Sequence, residues 1–276
     1  MTHPVAQLGI DGRNWLHSAE FALRAVIDRY AFAKAIAATD FDETNVTNDF
    51  FYYCVTKSAK TLIAINRLIE EHLGEDAQIL LRASYENYLA ISFLAANPDR
   101  LDDLVAKKVG VHTGYLQHPV SPSGRINYRK VIDPDSGEHL PFDLSIAEMV
   151  SLGKYSEDRE VHWPLYGFLS EHCHPHMMAS GNYRDKTNLR NSYENKGQVL
   201  SAVVYATYIY LLLLYEVRCF EPLKRPESGQ VAKLIRSGAA IIKRALKILI
   251  FERPVERLPN AMRCRIGLCS VIRRDV

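Results

Sequence analysis

The chain has 276 residues, 47% of them hydrophobic and 24% charged, ordinary values for a globular protein able to bury a large core in one domain or two. Its charge is unevenly placed: residues 222–276 hold 13 Lys/Arg against 4 Asp/Glu, so this part is expected to meet something acidic, whether nucleic acid, a membrane surface or the chain's own body. Five cysteines, an odd number with no C-x-x-C pair, exclude a disulfide framework and a cysteine-built zinc site and suit a cytoplasmic protein.

The first residues, MTHPVAQLGIDGRNWLH, lack the basic start and apolar block of a signal peptide. Apolar periodicity near 3.6 then dominates, and it predicts helices at about 14–38, 48–72, 76–96, 99–116, 144–152, 162–173, 197–220 and 229–250. Gly74, after RLIEEHL, reads as a C-terminal cap, Asn97-Pro98 ends the third helix, and Asn97 or Asp99 is the expected N-cap of the fourth. The expected fold is all-α: a multi-helix bundle with long irregular loops at about 118–143 and 175–196. Residues 1–221 are read as the bundle domain with a polar core site. Residues 222–276 are read as a basic amphipathic helix and tail docked on the same domain.

The third helix, DAQILLRASYENYLAISFLAAN, is apolar nearly all round, and between Asp76 and Asp99 only Arg82 and Glu86 are charged. Such a helix is expected to be central, with Arg82 and Glu86 facing the interior one turn apart and Gln78 a further turn back. Buried charges persist only when paired and hydrogen-bonded. A basic residue preceding an acidic one is the weaker order for an i,i+4 pair. Partners on another helix are therefore expected, as a structural network or as a site.

The stretch LSEHCHPH, residues 169–176, gathers three histidines, a cysteine and a helix-breaking proline. In a helix ending at Pro175, Ser170 and His174 share a face, while His172 points about 200° from His174, towards solvent or the other side. That geometry works against three histidines converging on one metal, although Glu86, His162 or Asp185 could add ligands. A Ser170/His174 pair facing Arg82/Glu86 is the preferred arrangement. There Arg82 would bind an anionic oxygen such as phosphate, Glu86 would orient the imidazole, and His174 would move the proton. A plain helix-terminal His174, favoured by the dipole, is the competing explanation. Cys173 would point about 100° from His174, which disfavours a cysteine nucleophile.

Residues 197–215, GQVLSAVVYATYIYLLLLY, carry no charge and nearly suffice to span a bilayer, but their four tyrosines and other polar groups favour a buried central helix over stable membrane insertion. The last helix sets Lys233, Arg236, Lys243, Arg244 and Lys247 within about 100° of arc, opposite Val231, Leu234, Ile235, Ile241, Ile242, Ala245, Leu246 and Leu249. This cationic stripe suits a solvated surface, a phosphate backbone, a membrane surface or a partner helix; without aromatic interleaving it does not suggest base recognition. The tail RLPNAMRCRIGLCSVIRRDV has no clear periodicity.

TKSAKTLIAINRLIEEHLGEDAQILLRASYENYLAISFLAANPDR, followed later by LSEHCHP, resembles an uncharacterised bacterial all-helical domain family over about residues 45–220. The resemblance rests on an L-L-R-x-x-x-E helix closed by proline and a later S-x-x-x-H-P segment: Leu80, Leu81, Arg82, Glu86, Pro98, Ser170, His174 and Pro175. It implies a helical bundle and no particular activity. More loosely, the chain resembles HEPN-like helical bundles, many of them metal-independent ribonucleases of toxin and defence systems. Their R-x(4–6)-H motif has an arginine on the scissile phosphate and a histidine for acid/base chemistry. Arg67 and His72 have that spacing but lie about 140° apart on a continuous helix, so Arg82 and His174, from separate helices, are the pair that would fill the two roles.

No P-loop, dinucleotide fingerprint, H-E-x-x-H or nucleophile elbow occurs. The functional expectation is a phosphate-handling protein acting on RNA or another nucleic acid, possible as a HEPN-like ribonuclease, with no cofactor and no metal. The catalytic set is Arg82, Glu86, Ser170 and His174, with the Lys233–Lys247 stripe on the backbone. A non-catalytic interaction module, in which the Arg82/Glu86/His174 network is structural, and a metal-dependent hydrolase using the His172–His176 cluster are the alternatives. A homo-oligomer or a partner protein stays open.

Overall fold

The computed structural model describes residues 4–37, 46–173, 196–219 and 228–248. Eight helices lie among them: α1 (Pro4–Ala37), α2 (Val46–Glu70), α3 (Gly74–Ala96), α4 (Asp99–His112), α5 (Ile146–Leu152), α6 (Asp158–Cys173), α7 (Lys196–Cys219) and α8 (Ser228–Ile248), with a two-stranded ribbon between α4 and α5. The protein is an all-α bundle, and its helices follow the apolar periodicity of the sequence. The loop expected over 175–196 and the tail after 248 lie outside the described residues.

At the centre runs α7. Residues 202–214 are buried without exception, and α3, α8, α1 and α2 all pack on this helix. It is the one described helix long and apolar enough to cross a membrane, and 78% of that stretch is buried inside the bundle. Hydrogen bonds satisfy polar groups in its middle turns. Thr207 Oγ1 donates to the Val203 carbonyl at 2.8 Å. Tyr210 donates its hydroxyl to the Ser58 carbonyl at 2.7 Å and sits 2.8 Å from Ser84 Oγ, while Asn87 reaches Ser58 Oγ at 3.1 Å. These bonds join α2, α3 and α7, and burial raises the Tyr210 phenol well above its ordinary value.

The structure corrects several boundaries and caps. Helix α1 begins at Pro4, ten residues before the predicted start, with proline in the first turn where its missing N–H is harmless. Within it Gly12 lies where a Cβ would come within 2.3 Å of Val203 on α7. Gly74 does not cap α2. The left-handed residue is His72, at φ 63°, and Leu73 N–H closes the turn on the Leu68 carbonyl at 2.8 Å. Gly74 opens α3, and there a Cβ would stand 2.4 Å from the backbone carbon of Gln198. Neither Asn97 nor Asp99 caps α4: the Asn97 amide donates to the Phe93 and Leu152 carbonyls, each at 2.9 Å, and ties the end of α3 to the end of α5. Helix α4 stops at His112 because the chain folds back there, Leu116 N–H reaching the Gly110 carbonyl at 2.9 Å. Helix α6 starts at Asp158 and carries Pro164 inside it.

The segment 118–143 is not irregular throughout. Strands β1 (Lys130–Ile132) and β2 (His139–Pro141) pair antiparallel with Val131 opposite Leu140, and Val131 is fully buried. Isolated bridges Gln117↔Ile132 and Val120↔Ile126 add a third edge. Helix α8 packs its apolar side on α7 and α1, and Trp15 of α1 donates its indole N–H to the Leu234 carbonyl at 2.9 Å.

Two substitutions separate these backbone roles. Gly74→Ala is expected to lower stability by about 2–3 kcal/mol, because backbone rather than a flexible side chain blocks the methyl group. His72→Gly is expected to raise it by about 1 kcal/mol by relieving the left-handed conformation of a residue with a Cβ. Urea midpoints of the two variants measure both; equal midpoints would refute this assignment of roles.

Candidate functional site

Helices α3 and α6 cross the bundle antiparallel, and three contacts fix their register. Tyr88 donates to Asp158 Oδ2 at 2.7 Å, the Tyr85 ring stacks on His162 with centroids 6.0 Å apart, and Arg82 meets Tyr166. Ile79, Arg82, Ala83, Glu86 and Ala90, all partly exposed, fall at helical spacing along one seam of α3. Arg82 and Glu86 therefore do not face the interior as predicted: their side chains are 27% and 35% exposed. Gln78 is wholly buried instead, and its amide donates to Gln198 Oε1 at 2.9 Å.

Arg82 is held by a closed ring of bonds. Its Nε donates to Glu86 Oε1 at 3.1 Å, its terminal nitrogen donates to Tyr166 Oη at 2.6 Å, and Tyr166 donates to the same Glu86 oxygen at 3.2 Å. The guanidinium carbon also lies 4.8 Å from the Tyr166 ring centroid. Burial opposes the charge on Arg82, but hydrogen bonds to Cys173 and Glu86, with Tyr166 nearby, outweigh it and hold the pKa above the ordinary arginine value. Burial, then the adjacent Glu86, pushes the Tyr166 phenol up while Arg82 opposes them. The result is a fixed, permanently charged fork that solvent still reaches, chemistry suited to an anionic oxygen.

Behind Tyr166 lies His162, 3% exposed and stacked 4.9 Å from the Tyr166 ring. Burial lowers its pKa, and Nδ1 has no hydrogen-bond partner. Ser170, one turn beyond Tyr166 on the same row, also has a buried Oγ without a partner. Two more unpartnered oxygens, Gln78 Oε1 and Glu75 Oε1, lie on the first turns of α3, where burial raises the Glu75 carboxyl above its ordinary value. The row His162, Tyr166, Ser170 is legible as an i, i+4, i+8 repeat in HWPLYGFLS. Both His162 and Tyr166 fall in the predicted 162–173 helix, but nothing local marks this row as the one that meets α3.

Of the expected catalytic set, Arg82 and Glu86 are in direct contact and Ser170 lies on the helix that faces them. His174 lies outside the described residues, as do His176 and Asp185. His172 does not face solvent: it is buried, edge-on to Phe168 at 5.1 Å, and burial lowers its pKa. Among the described residues no three His, Cys, Asp or Glu side chains converge as metal ligands. Cys173 donates its thiol to the Leu169 carbonyl at 3.4 Å, and burial pushes the Cys54 thiol up to about 12, which removes it as a nucleophile. Arg67 pairs with Glu70 at 2.8 Å rather than with His72. On α8, Lys233, Arg236, Lys243 and Lys247 are exposed and form no ion pair with the described residues, whereas Arg244 is tied to Asp11 at 2.7 Å.

Residues 48–192 match a family of unknown function (DUF5677), and the chain belongs to that family. No curated protein and no solved structure matches it.

The two buried imidazoles make stability depend on pH. Their folded pKa values lie below the ordinary 6.5, so on acidification the unfolded chain binds protons first. Their contribution is complete above about pH 6.5 and declines as pH falls towards the depressed folded values. His162→Phe, which keeps a ring between Tyr85 and Tyr166, is expected to flatten the fall in urea midpoint between about pH 7.5 and 5.5. A wild-type-minus-variant difference that does not change with pH would exclude a neutral, buried His162.

Proposed function

We propose that the α3–α6 junction centred on Arg82 handles phosphate on nucleic acid, and that the protein is a cytoplasmic, metal-independent ribonuclease similar in its two key groups to HEPN-like bundles. The observation that carries this reading is the Arg82 fork, fixed by Glu86 and Tyr166 yet open to solvent, on a helix pair whose second member runs into LSEHCHP. Arg82 stabilises charge building on the phosphate oxygens as the ribose 2′-oxygen attacks phosphorus and the 5′-oxygen leaves. His174 moves the proton. Glu86 accepts from Arg82 and Tyr166 on one oxygen, Oε1, and so holds the guanidinium, while its other oxygen orients the imidazole of His174. Ser170, one turn beyond Tyr166, has its Oγ buried and without a partner on the same row of α6. The exposed cations of α8, Lys233, Arg236, Lys243 and Lys247, retain the nucleic-acid backbone.

A second reading has its own support. The Arg82–Glu86–Tyr166 ring closes on itself, as a structural network in a non-catalytic interaction module would.

Cleavage of a mixed RNA pool in excess EDTA, wild type beside Arg82→Ala and His174→Ala, decides between them. The ribonuclease reading expects cleavage by wild type, a loss of at least about 100-fold in each variant, and an unfolding midpoint for His174→Ala near that of wild type. No cleavage by wild type, or cleavage only when a divalent metal is restored, overturns it.

A further inference from the structure

The α8 stripe has exposed cations but no aromatic residue among them. A surface with both properties lies elsewhere, on the ribbon after α4. Between the isolated bridges Val120↔Ile126 and Gln117↔Ile132 the chain turns at 127–130, Lys130 N–H reaching the Asn127 carbonyl at 3.2 Å, and Tyr128, Arg129 and Lys130 are all exposed there. Tyr128 is 66% exposed, a large value for an aromatic side chain.

The tyrosine is braced in place. His118 lies edge-on to both Tyr128 and Phe142, with ring centroids 5.2 and 4.9 Å apart, and its Nδ1 is 2.7 Å from the Lys130 carbonyl oxygen. Lys108 of α4 stands 4.0 Å from the Phe142 ring centroid and pairs with Asp143, anchoring the ribbon to the bundle. Around Tyr128, Arg125, Arg129 and Lys130 are exposed and form no ion pair with the described residues. Of the ribbon's acidic residues, Asp143 beside Phe142 is paired with Lys108, and the others fall in the turn between β1 and β2. There Asp133 accepts the N–H groups of Asp135 and Ser136, and Asp135 accepts from Tyr115. One end of the ribbon thus presents a rigid aromatic face with three free cations, the combination that binds an unpaired base and its flanking phosphates.

We infer that Tyr128, with Arg125, Arg129 and Lys130, is a stacking platform for single-stranded nucleic acid. The inference deepens the nucleic-acid reading of the Arg82 centre and rests on it.

Fluorescence anisotropy with a short labelled oligodeoxyuridylate tests this, because that probe lacks the 2′-hydroxyl needed for cleavage. Tyr128→Ala is expected to weaken binding about tenfold, while Tyr128→Phe, which keeps the ring, binds as wild type does. Replacing Arg125, Arg129 and Lys130 by alanine is expected to reduce the slope of log affinity against log salt by about 2. Arg82→Ala leaves the effects of the ribbon variants in place. Wild-type affinity in the ribbon variants, or no binding by wild type, overturns the platform. Binding that depends on Tyr128, together with no RNA cleavage, removes the nuclease reading and leaves the platform standing. Cleavage with ribbon variants that bind normally removes the platform alone.

Discussion

Everything in this bundle is arranged around the burial of α7. Thirteen consecutive residues, 202–214, have no access to solvent, so neighbours must cover the helix on every side. At about 25 cal/mol per Å² of apolar surface, burial of so many large side chains outweighs any other local preference. It draws α1 close enough that Gly12 rests on Val203, and it sets the first turn of α3 against the backbone at Gln198. Polar atoms beside α7 are drawn into hydrogen bonds at Tyr210, Ser84 and Ser58.

The same demand shapes the candidate site. One side of α3 is committed to α2 and α7, and another is partly covered by α5 and α6, which leaves a narrow seam. Arg82 and Glu86 sit on that seam, so they escape the full penalty of burying charge while staying fixed by Tyr166. Deeper along α6 the environment changes. His162 is pressed between tyrosine rings and stays neutral, so a permanent cation and an uncharged imidazole stand on either side of one phenol. Groups whose environments push their protonation apart in this way are common at sites that bind or transform anions.

The helices were legible from apolar periodicity, because a helix that must bury one face shows that face in its spacing. The segments that periodicity misread have physical explanations. Gly9 and Gly12 weaken a helix in isolation, yet Gly12 here admits Val203 of α7. Pro164 signals a helix start, but α6 already has a turn before it. Leu73 and Gly74 invite a glycine cap, whereas the left-handed position falls on His72. In the candidate site, Arg82 and Glu86 were visible as charges on an apolar helix. Tyr166 and His162 were hidden because nothing local says which row of α6 meets α3.

By itself, then, the sequence determined the class of fold, the centrality of α3 and α7, the amphipathic character of α8 and the unusual placement of Arg82 and Glu86. All of these follow from hydrophobic spacing and the cost of burying charge, which act within one helix. Tertiary structure alone decided that the charged pair lies on a seam, that Tyr166 closes a ring around it, that His162 and His172 are buried, and that the 118–143 segment forms a braced ribbon. These outcomes depend on which faces of separate elements meet. That choice is made by the packing of the whole core and leaves no periodic trace in any single stretch of chain.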